Sequence, residues 1–305
     1  MAGQAGARGL WRRLWRHRRA RVSLGVLVVL AAACAVGPAL ARAFGIDPAA
    51  MDLLARLEGP SLAHPLGTDE LGRDLLLRLL DAGRVSLAVG VGGALLAAAF
   101  GTLFGVLAGW FGGRLDALVM RLTDAVLALP LLPLLLVLAA VDLDKLGLGG
   151  LAGDEALWSA LRIVVIVALF GWTTTARLAR AATLSVRERE YVLAARALGA
   201  RTPRILLRHV LPNVASPLVV AATLSVGQVV LAESVLSFLG LGIQPPLASW
   251  GTMLTGAQER LFDAPMLALW PGLLIFLTVL CFNLLGDGLQ EALDPRGAHA
   301  LRRAQ

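Results

Sequence analysis

An all-α membrane protein of six transmembrane helices is the fold class this sequence predicts, and three observations carry the prediction. Of the 305 residues, 57% are hydrophobic, the mean hydropathy is +0.74, and the apolar residues fall in long blocks. Six blocks reach the roughly 20 residues that a helix needs to cross about 30 Å of hydrocarbon: 22–41, 85–111, 118–141, 160–182, 212–236 and 266–285. The arginines gather at alternate ends of these blocks, the bias expected of cytoplasmic loops. A backbone inside a bilayer finds no water, so each run must satisfy its own N–H and C=O groups as a helix.

Taken in order, residues 1–21 form a basic tail carrying Arg8, Arg12, Arg13, Arg16, Arg18, Arg19 and Arg21, which places the N-terminus in the cytoplasm. The first run imitates a secretory signal, ending in Ala39-Leu40-Ala41. It is too long for a signal core and is read as an uncleaved first span. Residues 22–84 hold that span and an extracytoplasmic connection. There Thr68 stands as a helix cap, with Asp69 and Glu70 suited to the positive end of the helix dipole.

Residues 85–290 form a core of five spans. The second carries Gly101, Gly105 and Gly109 on one face, a spacing that lets helices approach closely. The third carries Pro130 and Pro133, which should bend it. The loop 142–155 is acidic, with Lys145 its one cation, and belongs outside. Six crossings return 187–213 and the tail 291–305, with Arg296, Arg302 and Arg303, to the cytoplasm.

The stretch 187–213 is a polar, arginine-rich interlude between two apolar runs. Tyr191, Ala194, Ala195 and Leu198 recur at helical spacing and make a small-residue face. Gly199 ends that helix where a left-handed residue is cheapest. Thr202 and Pro203 read as the cap and first position of a second helix, closed by Leu211-Pro212. Two short helices set at an angle are expected; an ordinary amphipathic juxtamembrane helix is the plainer reading.

Glu233 near the end of the fifth span is costly in lipid unless it meets water or a partner. It either lines a pathway or bonds to a neighbouring helix, and Gln228, about one turn earlier, is a weaker candidate of the same kind. Trp250 suits an interfacial anchor as well as a substrate contact.

Several chemistries are excluded. The net charge of +7 rests almost wholly on arginines at span ends, so nucleic acid is not the expected partner. Cys34 and Cys281 fall inside apolar runs, and His17, His64, His209 and His299 are scattered, so neither a disulfide framework nor a metal site is expected. Lys145, the only lysine, lacks a glycine-rich phosphate loop before it. No catalytic constellation appears in an apolar setting. The chain is expected to bind no cofactor, and its energy source must be a partner.

Three motifs carry a resemblance. In 187–213, Ala194, Ala195, Gly199, Ile205, Leu211 and Pro212 match the cytoplasmic loop of ABC importer permeases, the E-A-A loop that receives the ATPase. Leu193 stands where that family's namesake glutamate sits. Between the first two spans, His64-Pro65-Leu66-Gly67-Thr68-Asp69 and Gly72-Arg73-Asp74 resemble the signature of the C-type permease subunit of dipeptide and oligopeptide importers. After the fifth span, Ser237-Phe238-Leu239-Gly240-Leu241-Gly242, Pro245-Pro246 and Ser249-Trp250-Gly251 are similar to the same subunit.

The resemblance implies a non-catalytic transport subunit of the bacterial inner membrane, with a coupling-helix loop between spans four and five. It implies a heterodimer with a B-type permease, two ATPase subunits that use ATP and magnesium, and an extracytoplasmic solute-binding protein. Peptides or similar small solutes are the implied cargo. An ion-coupled secondary transporter and a membrane-embedded enzyme are the alternatives from other classes. Arg162, near the start of the fourth span, has no role assigned from sequence.

Overall fold

The computed structural model describes Trp15 and residues 17–141 and 155–293. The acidic stretch 142–154, with Lys145, and the C-terminal arginines lie outside the described residues. Nine helices are found among the described residues, and five are long and apolar enough to cross a membrane.

Helix α1, Arg18–Ala43, contains the run 22–41 and passes straight through Ala39-Leu40-Ala41. Helix α2, Leu75–Phe111, begins ten residues before the apolar run expected at 85–111. Asp74 sets that start, its carboxylate accepting the Leu77 N–H at 2.8 Å. Thr68 is therefore not the cap. Its hydroxyl donates to the Ala55 carbonyl and accepts the Glu58 N–H, tying down the connection instead.

The third span is broken rather than bent. Helices α3, Gly113–Ala128, and α4, Leu131–Ala140, meet at 91°. Leu129 is extended, as a residue before proline is driven to be, and Pro130 opens α4 with no N–H to give.

Helix α5, Glu155–Arg187, lies along α2. The close approach comes from Gly101, Gly105 and Gly109: a Cβ on each would meet the backbone carbonyls of Trp172, Ala176 and Arg180, respectively. The three glycines and the three carbonyls share the same four-residue step, so one ridge lies along one groove.

A short helix α6, Glu190–Ala197, follows. Helix α7, Thr202–Phe238, then runs unbroken from the polar loop through the fifth span. This corrects the expectation of a second short helix closed at Leu211-Pro212. A wide π turn at Leu206–Val210 admits Pro212 without ending the helix, and Asn213 donates to the His209 carbonyl at 2.6 Å. Thr202 is the first helical residue, and its side chain makes no cap bond.

Helix α8, Trp250–Gln258, is a short helix between α7 and the last span, α9, Met266–Leu293. His17 and Glu291 pair at 2.9 Å, so the beginning of α1 meets the end of α9. Arg42 and Asp81 pair at 3.1 Å, so the end of α1 meets the beginning of α2.

Candidate functional site

The polar loop is held from beneath. Val192, Ile205 and Val210 are buried in one cluster with Val106 and Trp110 at the end of α2 and Val214 and Leu218 on α7. Above that cluster Arg196 lies 4.0 Å from the Trp110 ring centroid, and Arg187 donates to the Gly109 carbonyl at 3.0 Å. Arg180 makes a two-pronged pair with Asp116, and Arg177 pairs with Asp124, so α3 and α5 are laced together toward the same end.

The opposite face of the loop is open. Tyr191 is 44% and Leu198 87% exposed, Ala194 and Gly199 are exposed, and Ala195 is half-buried. Gly199 has φ +77°, and the Ala200 N–H reaches the Ala195 carbonyl while the Gly199 N–H reaches that of Arg196. This is the paired bonding that ends a helix on a left-handed residue. The predicted loop residues thus divide. Ile205 is an anchor beneath the loop, Leu211 and Pro212 lie within α7, and Tyr191, Ala194 and Gly199 face outward.

At mid-bundle a cavity of about 350 Å³ opens between α2, the α3–α4 break, α5 and α7. Its walls are apolar at Ala97, Leu129, Leu131 and Phe170, with Thr173, Thr174, Thr175, Ser225 and Gln228 supplying hydroxyls and one amide. Gln228 therefore faces open space.

Glu233 does not; of its two expected roles, the bond to a neighbouring helix is the one seen. It is 0% exposed, and serine hydroxyls ring its carboxyl. Ser237 donates at 2.7 Å and Ser86 at 3.2 Å; the Ser234 hydroxyl lies 3.5 Å away and donates to the Val230 carbonyl at 2.8 Å. Trp250 is 0% exposed, and its indole N–H donates to the Leu79 carbonyl at 3.0 Å. It packs inside the chain rather than at a membrane surface. Arg162 donates to the Leu241 carbonyl at 3.3 Å, fixing the segment after α7 to α5.

The connection before α2 is a compact knot. Thr68 and Asp74 form an antiparallel bridge. Asp69 accepts the Leu71 and Arg73 N–H groups and pairs with Arg73 at 2.8 Å and Arg78 at 2.6 Å. His64 bonds Asp74 at 3.0 Å, and Pro65 beside it is exposed. Gly67 is buried, and Gly72, at φ +71°, presses on the Asp52 carbonyl where a Cβ has no room. Every residue of this motif but Pro65 therefore has a visible packing or bonding role.

Sequence reasoning missed the serine ring and the Arg196–Trp110 contact. The available signal was a set of small hydroxyls at helical spacing near a lone carboxylate, and a tryptophan at a span end followed in space by arginine.

Residues 101–298 match the family described as binding-protein-dependent transport system inner membrane component. Residues 7–60 match the N-terminal TM domain of oligopeptide transport permease C. A glutathione transport system permease protein of Pectobacterium atrosepticum is 39% identical, covering 94% of this chain and 91% of its own. A putative peptide permease protein of Brucella ovis is 43% identical over 71% of this chain and 68% of its own. A glutathione transport system permease protein of Escherichia coli is 39% identical over 85% and 74%. The chain belongs to the family of binding-protein-dependent transport system inner membrane components, as a multi-pass permease subunit of such an importer.

Proposed function

We propose that this chain is the C-type permease of a peptide-class ABC importer and forms half of the solute path with a B-type permease. Two ATPase subunits dock on the exposed face of α6 at Tyr191, Ala194 and Gly199, and they alone use ATP and magnesium. That face and both chain ends lie in the cytoplasm, while the knot at 64–74 and the segment 239–249 face an external solute-binding protein. The path runs beside Gln228, and the cargo is a short peptide or a glutathione-like molecule. Relatives named for glutathione and peptide transport support this class of cargo.

The observation that carries the proposal is the continuity of Thr202–Phe238. A push on α6 passes through the turn at Gly199 into α7 and is delivered along that one helix to the cavity wall at Ser225 and Gln228. The cavity's lining of hydroxyls, one amide and apolar walls suits a solute of mixed character held weakly in transit.

The test is reconstitution of the chain with its partner permease, both ATPases and the binding protein in liposomes. ATP-dependent uptake of labelled peptide or glutathione is expected, together with a crosslink from Ala194→Cys to an ATPase. Uptake without ATP, or labelling of that cysteine from outside intact cells, would overturn the proposal.

A further inference from the structure

Burying a carboxyl at the end of a span is costly, and packing alone would be served as well by leucine. Glu233 must therefore do something that leucine cannot. Its two main partners each act twice. Ser237 donates to the carboxyl and accepts the Ile243 N–H at 3.1 Å. Ser86 donates to the carboxyl and accepts the Trp250 N–H at 3.1 Å. The carboxyl takes both hydroxyl protons and so turns both oxygen lone pairs toward the chain that follows α7.

We propose that Glu233 is a positioning residue: through Ser86 and Ser237 it fixes the segment 239–249 in the one shape that the solute-binding protein engages. The inference rests on the importer reading given above. The segment lies directly on the last turns of α7, because Gly242 and Gly251 leave no room for a Cβ against Ser237 and Ser234. Its other edge is held by Ser159, which accepts the Gln244 N–H at 3.1 Å, and by Arg162 at Leu241. What remains uncovered is a short apolar and amide surface at Leu239, Gln244, Pro245 and Pro246. Parts of α2, α5, α7 and α8 thus meet around this segment, and a polar hub admits fewer alternative arrangements than an apolar one.

The test compares Glu233→Leu and Glu233→Gln in the complete reconstituted importer, reading uptake against the concentration of peptide-loaded binding protein. Losing two oriented hydrogen bonds should raise the half-saturating concentration about tenfold in Glu233→Leu, with Glu233→Gln in between, because its amide keeps one acceptor oxygen where the carboxyl has two. A mere loss of folded chain would lower only the maximal rate. Hydrogen exchange at the Ile243 and Trp250 amides of the purified chain reads the positioning separately, and about tenfold faster exchange is expected in Glu233→Leu.

If the parent complex takes up no peptide, the importer reading fails while the exchange data still decide the positioning. If Glu233→Leu does not insert, Ser86→Ala combined with Ser237→Ala removes the same bridges and should give the same two shifts. Unchanged half-saturation, or unchanged exchange at both amides, would overturn the proposal.

Discussion

Arg196 lies over the Trp110 ring, 4.0 Å from its centroid, and this contact fastens the loop helix α6 to the end of α2. The open face of α6 therefore stands on a rigid support, although the loop projects beyond the apolar runs. Such a contact contributes about 0.5–2 kcal/mol, depending on how dry it is.

Replacing Trp110 by leucine removes the ring's attraction for the guanidinium together with part of the packing beneath the loop. Amide exchange in Glu190–Ala197 is expected to quicken about fivefold to tenfold, while the spans keep their helix content by circular dichroism. Unchanged exchange would show that Val192, buried beneath the same helix, holds it alone.

Gly199→Val forces a β-branched residue into a left-handed backbone at φ +77°. Strain of about 1–3 kcal/mol at that turn should displace α6 from α7. The expected phenotype is a chain that inserts normally but no longer links ATP hydrolysis to uptake. Simultaneous hydrolysis and transport assays on one preparation would read it, and transport at the parental rate would remove this turn from the linkage.

Gly105→Ala tests the seam between α2 and α5, since its Cβ would strike the Ala176 carbonyl. Overpacking of about 1–3 kcal/mol should lower the thermal midpoint by several degrees. Gly92→Ala is the control, because its Cβ would meet only Val164, at an ordinary 3.9 Å. The two alanines should therefore differ clearly in a melting assay; equal midpoints would mean that the helices can part at no cost.

Asp69→Asn leaves Arg73 and Arg78 converging on a neutral amide in a largely buried setting. Breaking such a pair costs about 3–5 kcal/mol when fully buried, and less here, where both arginines keep some exposure. Proteolysis between residues 44 and 74 should speed up, while Leu75–Phe111 stays protected. An unaltered cleavage pattern would assign the knot's order to the Thr68 and Gly72 contacts instead.

The spans were legible because the bilayer demands a length that only long apolar blocks supply. The helix end at Gly199 was legible for a similarly local reason, the left-handed residue being written into the chain. The early start of α2 was missed for another reason: Asp74 caps Leu77 locally, but the first turns mix leucines with Arg78 and Asp81, so the apolar run alone set the boundary too late. The fate of Glu233 depended on hydroxyls from two separated places in the sequence, at 86 and 234–237, and no window of neighbouring residues contains both. Pro212 misled because its usual effect on a helix is cancelled by the wider turn before it.

That wider turn, Leu206–Val210, has a geometric result for everything after it. It stores one surplus residue, and an α-helix advances about 100° per residue, so the sequence beyond it is phased roughly 100° away from the count begun at Thr202. The azimuth at which Gln228 meets the cavity is thus set some eighteen residues earlier, where the polar loop passes into the apolar run. A deletion of a single residue there would swing the whole wall of the fifth span while leaving its length and greasiness untouched.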